Sequence, residues 1–264
     1  MGGTDQGPAA LVTGASRGVG RGVALALDEA GYRVYATGRT IAGAGLPAAV
    51  TALACDHLAD DETARVFAVI QADEPTLDVL ANCAWGGYER MVEDGAFTWP
   101  AHFWKQPMHR WTAMVDGGVR AAFVCSALAA RLMIARRSGL IVNLSFWAAQ
   151  RRMGNAIYGL AKAATDKLTR DMAEELAPFG VAAVSLYPGL VRTEAVLAAA
   201  AQGAFDLANS ESPQFVGRVI AALRADPALM SRTGQVLVAA AVARELGVVD
   251  VDGRSPEPLS LDTV

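Results

Sequence analysis

An apolar run, Ala9 to Thr13, leads into Thr13-Gly14-Ala15-Ser16-Arg17-Gly18-Val19-Gly20 and then into an amphipathic stretch, Gly20 to Ala30, that stops at Gly31. Glycines between a strand and a helix allow a tight turn and leave backbone N–H groups bare at the helix N-terminus, where the helix dipole favours an anion. A helix entered this way has to travel back along the sheet before the next strand can lie parallel to the first. The first thirty residues therefore point to a layered fold of parallel strands and covering helices.

The pattern repeats downstream. Strands are expected at Tyr32–Thr37, Thr51–Cys55, Asp78–Ala81, Leu140–Ser145, Val181–Tyr187 and Gln235–Ala239. Helices are expected at Asp61–Ala72, Trp111–Ala135, Asn155–Ala177 and Ser212–Ala225. The strand segments are apolar runs, as in parallel sheets buried on both faces. A hydrophobic fraction of 53% in 264 residues supplies a large core, and no repeat or linker divides the chain. The expectation is one α/β domain over residues 1–249, a Rossmann-type doubly wound parallel sheet of about seven strands flanked by helices. A polar arm, residues 250–264 with Pro256 and Pro258, is expected to be extended or frayed.

Composition excludes several classes of function. A net charge of −4 argues against a nucleic-acid surface. No uninterrupted apolar run reaches the roughly 18 residues of a membrane span, and the longest candidate, Ala121 to Met133, is broken by Ser126 and Arg131, so no stable membrane insertion is expected. The stretch Met1 to Gly7 lacks the basic start and apolar core of a secretion signal, so a cytoplasmic location is expected. Cys55, Cys83 and Cys125 show no metal-ligand spacing and are read as free thiols in a reducing compartment, with no metal.

The glycine turn, with Gly14, Ser16, Arg17, Gly18, Val19 and Gly20, suits a dinucleotide pyrophosphate. An acidic residue after the second strand would bind the ribose of NAD, but Gly38-Arg39 stands there. Arg39 and Arg17 can converge on a 2′-phosphate through charged, bidentate hydrogen bonds, which favours NADP, as NADPH, over NAD. Asp56, after the third strand, is placed either to meet the adenine or to cap a helix.

Tyr158 and Lys162 are four apart on an expected helix and share a face. A free tyrosine titrates near pH 10, too high for acid–base work at neutrality. A cation about 4 Å away is worth a few kcal/mol, enough to lower that value by units. Lysine is scarce here: Lys105, Lys162 and Lys167 are the only ones among 23 basic side chains. Ser145 ends the strand that precedes this helix.

On these residues the chain resembles the short-chain dehydrogenase/reductase superfamily over nearly its full length. The resemblance implies that Gly14, Gly18 and Gly20 hold cofactor, Ser145 orients a substrate carbonyl and Tyr158 gives the proton. It implies that Lys162 holds the nicotinamide ribose and lowers the tyrosine pKa. Pro188, Gly189, Val191 and Thr193 resemble the segment that backs the nicotinamide, and Asn82, counted with the cofactor-binding residues, the one that braces the sheet's centre. Two departures stand out. The family string Asn-Asn-Ala-Gly reads Asn82-Cys83-Ala84-Trp85, and Gly118 replaces an Asn that helps hold a proton-relay water.

The strings Gly118-Val119-Arg120, Asp206 to Pro213 and Asp250 to Arg254 resemble a narrower group within the family. That likeness implies NADPH-dependent reduction of ketone and aldehyde carbonyls in steroid- or xenobiotic-like molecules. Phe97, Trp99, Phe103, Trp104 and Trp111 form either a lid over an apolar substrate cleft or a small core of their own. Glu194 to Gln214 is a second expected cover. The rival expectation is a low-turnover NADP-binding sensor or scaffold of the same fold. Pairing of copies through Trp111–Ala135 and Asn155–Ala177, as a homodimer or homotetramer, is also expected.

Overall fold

A computed structural model describes residues 7–74 and 76–264; expectations that touch Met1–Gln6 or Pro75 lie outside the described residues. The strands are β1 Ala9–Val12, β2 Arg33–Gly38, β3 Thr51–Ala54, β4 Val79–Asn82, β5 Gly139–Leu144, β6 Val181–Tyr187 and β7 Val236–Val238. They form one sheet in the order β7-β6-β5-β4-β1-β2-β3, every pair parallel. The chain starts at the centre, builds outward to β3, then returns to β4 and builds the other way. The order reverses between β1 and β4, and the crevice beyond their carboxyl ends is where such sheets take ligands.

The helices are α1 Gly18–Glu29, α2 Asp60–Asp73, α3 His109–Arg136, α4 Ala156–Leu176, α5 Glu194–Ala200, α6 Pro213–Ala225 and α7 Ala239–Leu246. Side chains alternate across a strand, so β1 feeds two cores at once. Ala10 and Val12 face Val23 and Leu27 of α1 with Phe215, Val219 and Ile220 of α6. Ala9 and Leu11 face Phe67 and Ile70 of α2 with Cys125 and Met133 of α3. Burial on both faces is why the strand segments read as apolar runs. Each fully buried Leu, Ile or Phe contributes about 1.5–3 kcal/mol.

Most expected elements are present with ends shifted by one or two residues. Three differences are larger. Helix α3 begins at His109, and its stretch Thr112–Arg120 is wound as a π-helix, a form that recurs at functional sites. At 28 residues, with an 18-residue window of mean hydropathy 1.6, it is long and apolar enough to cross a membrane, though no uninterrupted apolar run in it reaches that length. Its length exceeds the apolar run because Val115, Val119 and the alanines flanking Arg131 lie on one continuous helix. Here Ala121, Cys125, Ser126, Ala129 and Met133 are buried in the fold.

Helices α5 and α7 were not anticipated, being short and alanine-rich, although Thr193 caps the first and Gly247 ends the second. The arm after residue 249 is extended but not frayed. Asp250 is fully buried, accepting the Ser212 N–H at 2.8 Å and pairing with Arg192 at 2.9 Å. The Glu257 N–H donates to Asn209 Oδ1 at 2.8 Å. The three cysteines are free thiols, Cys55 and Cys125 buried and Cys83 half-buried.

Candidate active site

The turn after β1 is tied to the chain leaving β4. Thr13 Oγ1 accepts the N–H groups of Cys83 and Ala84 at 3.0 and 3.1 Å. Gly14 lies at φ +66°, and a Cβ there would come within 2.7 Å of the Ala84 backbone. A Cβ on Gly20 would stand 2.3 Å from the Gly14 carbonyl oxygen, so the turn closes only with glycine at both places. Val19 packs on the core beneath, and the buried Ser16 Oγ has no partner. Helix α1 has no acidic residue in its first turn and no side-chain cap of its own. Its Gly18 N–H is taken by Glu194 Oε2 at 3.0 Å.

Arg17 and Arg39 do come together, on a carboxylate of the chain itself: both guanidiniums bond Glu89 Oε1, at 2.6 and 2.8 Å. Asp56 Oδ1 accepts the Leu58 N–H at 3.1 Å in a local turn ahead of α2, whose N-cap position is Ala59, so Asp56 does not cap that helix. Asn82 spends its amide inside the sheet, donating to Ser126 Oγ at 3.1 Å and Asn143 Oδ1 at 2.8 Å. Asn143 in turn donates to Thr169 Oγ1 at 2.8 Å, and Ser185 Oγ donates to the same oxygen at 3.0 Å. This chain of bonds locks β4, β5 and β6 to α4 beneath the cleft.

Pro188 and Gly189 follow β6. Val191 is buried in a two-residue ribbon with Ser210–Glu211. Thr193 Oγ1 caps α5 by accepting the Val196 N–H, and its methyl group lies 3.5 Å from where a Cβ on Gly18 would stand. The 188–193 segment thus meets the glycine turn at Thr193.

A cradle that only glycine can line, a helix N-terminus, an unpartnered buried hydroxyl and two convergent guanidiniums fit a nicotinamide dinucleotide.

At the other end of the cleft Asn155 caps α4, its side chain accepting the Tyr158 N–H at 2.9 Å, which sets Tyr158 and Lys162 on the buried face. Lys162 Nζ donates to the Leu144 carbonyl at 3.1 Å, and Ser145 Oγ donates to the Lys162 carbonyl at 3.2 Å. The three residues are brought together, but the lysine does not do to the tyrosine what its spacing suggests. The ammonium stands 4.0 Å above the ring centroid of Trp85 and 6.0 Å from that of Tyr158. The Tyr158 hydroxyl meets the Tyr88 hydroxyl at 3.0 Å instead. Rings of Trp85, Tyr88 and Trp99 pack around Tyr158 at 5.9, 6.1 and 5.2 Å.

Burial, reinforced by Tyr88, therefore pushes the Tyr158 hydroxyl above the usual tyrosine range rather than below it. Burial pulls the Lys162 ammonium down to about 8, against the nearby Asp166 carboxylate, which raises it.

The two sequence departures are one feature. A Cβ on Gly118 would come within 2.7 Å of Trp85 Cε3, so the ring occupies the space into which a side chain at 118 would project. Of the five aromatics expected to act together, only Trp99 reaches the site. Phe97, Phe103, Trp104 and Trp111 are exposed, lining neither a cleft nor a core. Sequence reasoning missed Tyr88, Glu89, Glu194 and Glu211; only Trp85, standing where the family has glycine, carried a signal. Glu211 is fully buried beside Gly189, and burial pushes its carboxyl up to about 8.

Residues 8–203 match the model of the short chain dehydrogenase family. The chain is similar to mouse dehydrogenase/reductase SDR family member 1, with 36% identity across 94% of this chain and 85% of the relative. It is similar to the 3-oxoacyl-acyl-carrier-protein reductase of Synechocystis sp., with 31% identity across 86% of this chain and 92% of that one. Among solved structures it is similar to a short-chain type dehydrogenase/reductase from Mycobacterium ulcerans, with a TM-score of 0.74 and 29% identity over 88% of each chain. A doubly wound sheet with this cleft is the frame of a nicotinamide oxidoreductase. The chain belongs to the short-chain dehydrogenase/reductase family and is an NAD(P)-dependent enzyme acting on small molecules.

Proposed function

We propose that the chain is an NADPH-dependent carbonyl reductase of apolar ketones and aldehydes, with Tyr158 as acid and base. The observation that carries the cofactor preference is the convergence of Arg17 and Arg39 on one anionic oxygen, at 2.6 and 2.8 Å. No acidic residue follows the second strand, where Gly38-Arg39 stands, and a pair of guanidiniums converges there instead. The apolar surroundings of Tyr158, formed by Trp85, Trp99 and Met114, support an apolar substrate.

In this reading the glycine turn, Ser16 and Thr193 hold the phosphates, and Lys162 with Tyr158 the nicotinamide ribose. When bound, the reduced nicotinamide supplies the hydride. Ser145 orients the carbonyl oxygen and Tyr158 gives it a proton, so a ketone leaves as a secondary alcohol. Lys162, already drawn down to about 8, is placed to return a proton toward the tyrosinate. For this to happen the Tyr88 hydroxyl has to leave the hydrogen bond it makes to Tyr158.

The test is NADPH oxidation against steroid ketones, aryl ketones and quinones, beside NADH and Tyr158→Phe. Turnover that requires NADPH and falls about 10²–10⁴-fold in the variant, with NADPH binding kept within threefold, is the expected result. Turnover unaffected by the substitution would remove Tyr158 from the chemistry. Tight NADPH binding without turnover on any carbonyl would establish the sensor instead.

A further inference from the structure

The anion seats of the dinucleotide cleft are filled by the chain's own carboxylates. Glu194 takes the Gly18 N–H at the N-terminus of α1, and Glu89 takes both guanidiniums at the adenosine end. Glu89 is delivered by the segment that also lays Trp85 over Lys162 and Tyr88 against Tyr158. The residue after it, Arg90, lies at φ +54°, a region uncommon for a residue with a side chain, so the contacts rather than the backbone hold Glu89 in place.

We propose that Glu89 is a built-in competitor for the cofactor's 2′-phosphate, and so a specificity-determining residue for the dinucleotide. The proposal rests on the NADP reading above. Arg17 and Arg39 carry like charges that repel unless an anion lies between them. A single carboxylate oxygen meets that need in the free enzyme. A phosphate monoester, with close to two negative charges and three acceptor oxygens, satisfies both forks more fully and displaces it. The exchange is an easy one. Side-chain exposures of 67% for Arg17, 54% for Arg39 and 38% for Glu89 leave the ion pairs open to water and weak. A dinucleotide lacking the 2′-phosphate has no group with which to displace Glu89 and gains nothing from the arginines. Glu89 thereby sets a threshold that the phosphorylated ligand alone has to overcome.

The test uses 2′-phospho-ADP-ribose and ADP-ribose, which lack the nicotinamide and so do not need the aromatic end to open. Calorimetric titration of the wild type, Glu89→Gln and Glu89→Ala gives affinities without turnover. The wild type is expected to prefer the phosphorylated probe. Both variants are expected to bind that probe roughly threefold to tenfold tighter, as removal of two exposed ion pairs allows. ADP-ribose affinity is expected to change less than twofold. A wild type that prefers the phosphorylated probe, with variants that bind it no more tightly, overturns the competitor and leaves the NADP reading standing. Equal tightening of both probes also overturns it, since Glu89 would then be guarding the cleft and not the phosphate seat. Equal affinity of the wild type for the two probes removes the NADP reading and the competitor with it.

Discussion

The two ends of the cleft are covered by opposite means. At the adenosine end carboxylates rest on exposed guanidiniums and a helix N-terminus, in contact with water. At the nicotinamide end aromatic rings cover a buried tyrosine and a buried lysine. Ionic cover in water is cheap to exchange, because a new anion satisfies the same donors and screening leaves little energy to lose. Aromatic cover changes the ionisation of what lies under it, lifting Tyr158 and lowering Lys162. The first kind of cover bears on which ligand binds; the second disfavours charge on the reacting groups until a ligand replaces it.

The sharpest way to break that contrast is to wet the dry end. Burial holds the Lys162 ammonium at about 8 in the fold, below the 10.5 of a free lysine side chain. Between those values the unfolded chain holds more protons, so this group makes stability rise with pH from about 8 to 10, by on the order of 2–3 kcal/mol. Trp85→Gly, which hydrates the ammonium, is expected to remove at least half of that rise in urea unfolding across the window. The same rise in both proteins would mean that Trp85 is not what dries the lysine.

Next in size is the contact between the two departures. Gly118→Asn is expected to cost about 1–3 kcal/mol alone, as overpacking against the Trp85 ring does. In a Trp85→Gly background the same change should be near neutral, a coupling of at least about 1 kcal/mol in the double-mutant cycle. Additive effects would mean that the ring moves aside freely. The smallest effect belongs to the wet end. Glu89→Gln should shift stability by less than about 0.5 kcal/mol, since exposed pairs contribute little. A loss several times larger in the same denaturation experiment would erase the difference between the two covers.

What could be read from the sequence follows from how local each cause is. The glycine turn was legible because Gly14 and Gly20 answer to backbone geometry within a dozen residues, and the strands because burial on both faces leaves an apolar run. The pairing of Arg17 with Arg39 was legible as chemistry. Its occupant, Glu89, was not, being 72 residues from one arginine and 50 from the other in the chain. The Tyr–Lys spacing gave the shared helix face correctly and the direction of the tyrosine's shift incorrectly. Spacing reports which groups are neighbours but not which rings lie between them. Of the two readings of the arm, extended or frayed, the first holds: Pro256 and Pro258 speak against a helix but say nothing of the buried Asp250 that fastens its start.

The Trp85–Gly118 contact also constrains the history such a chain can have had. A ring that crowds a Cβ at 118 makes one order of change easier than the other: glycine at 118 before, or together with, tryptophan at 85. An asparagine at 118 is most easily regained once the ring at 85 is gone.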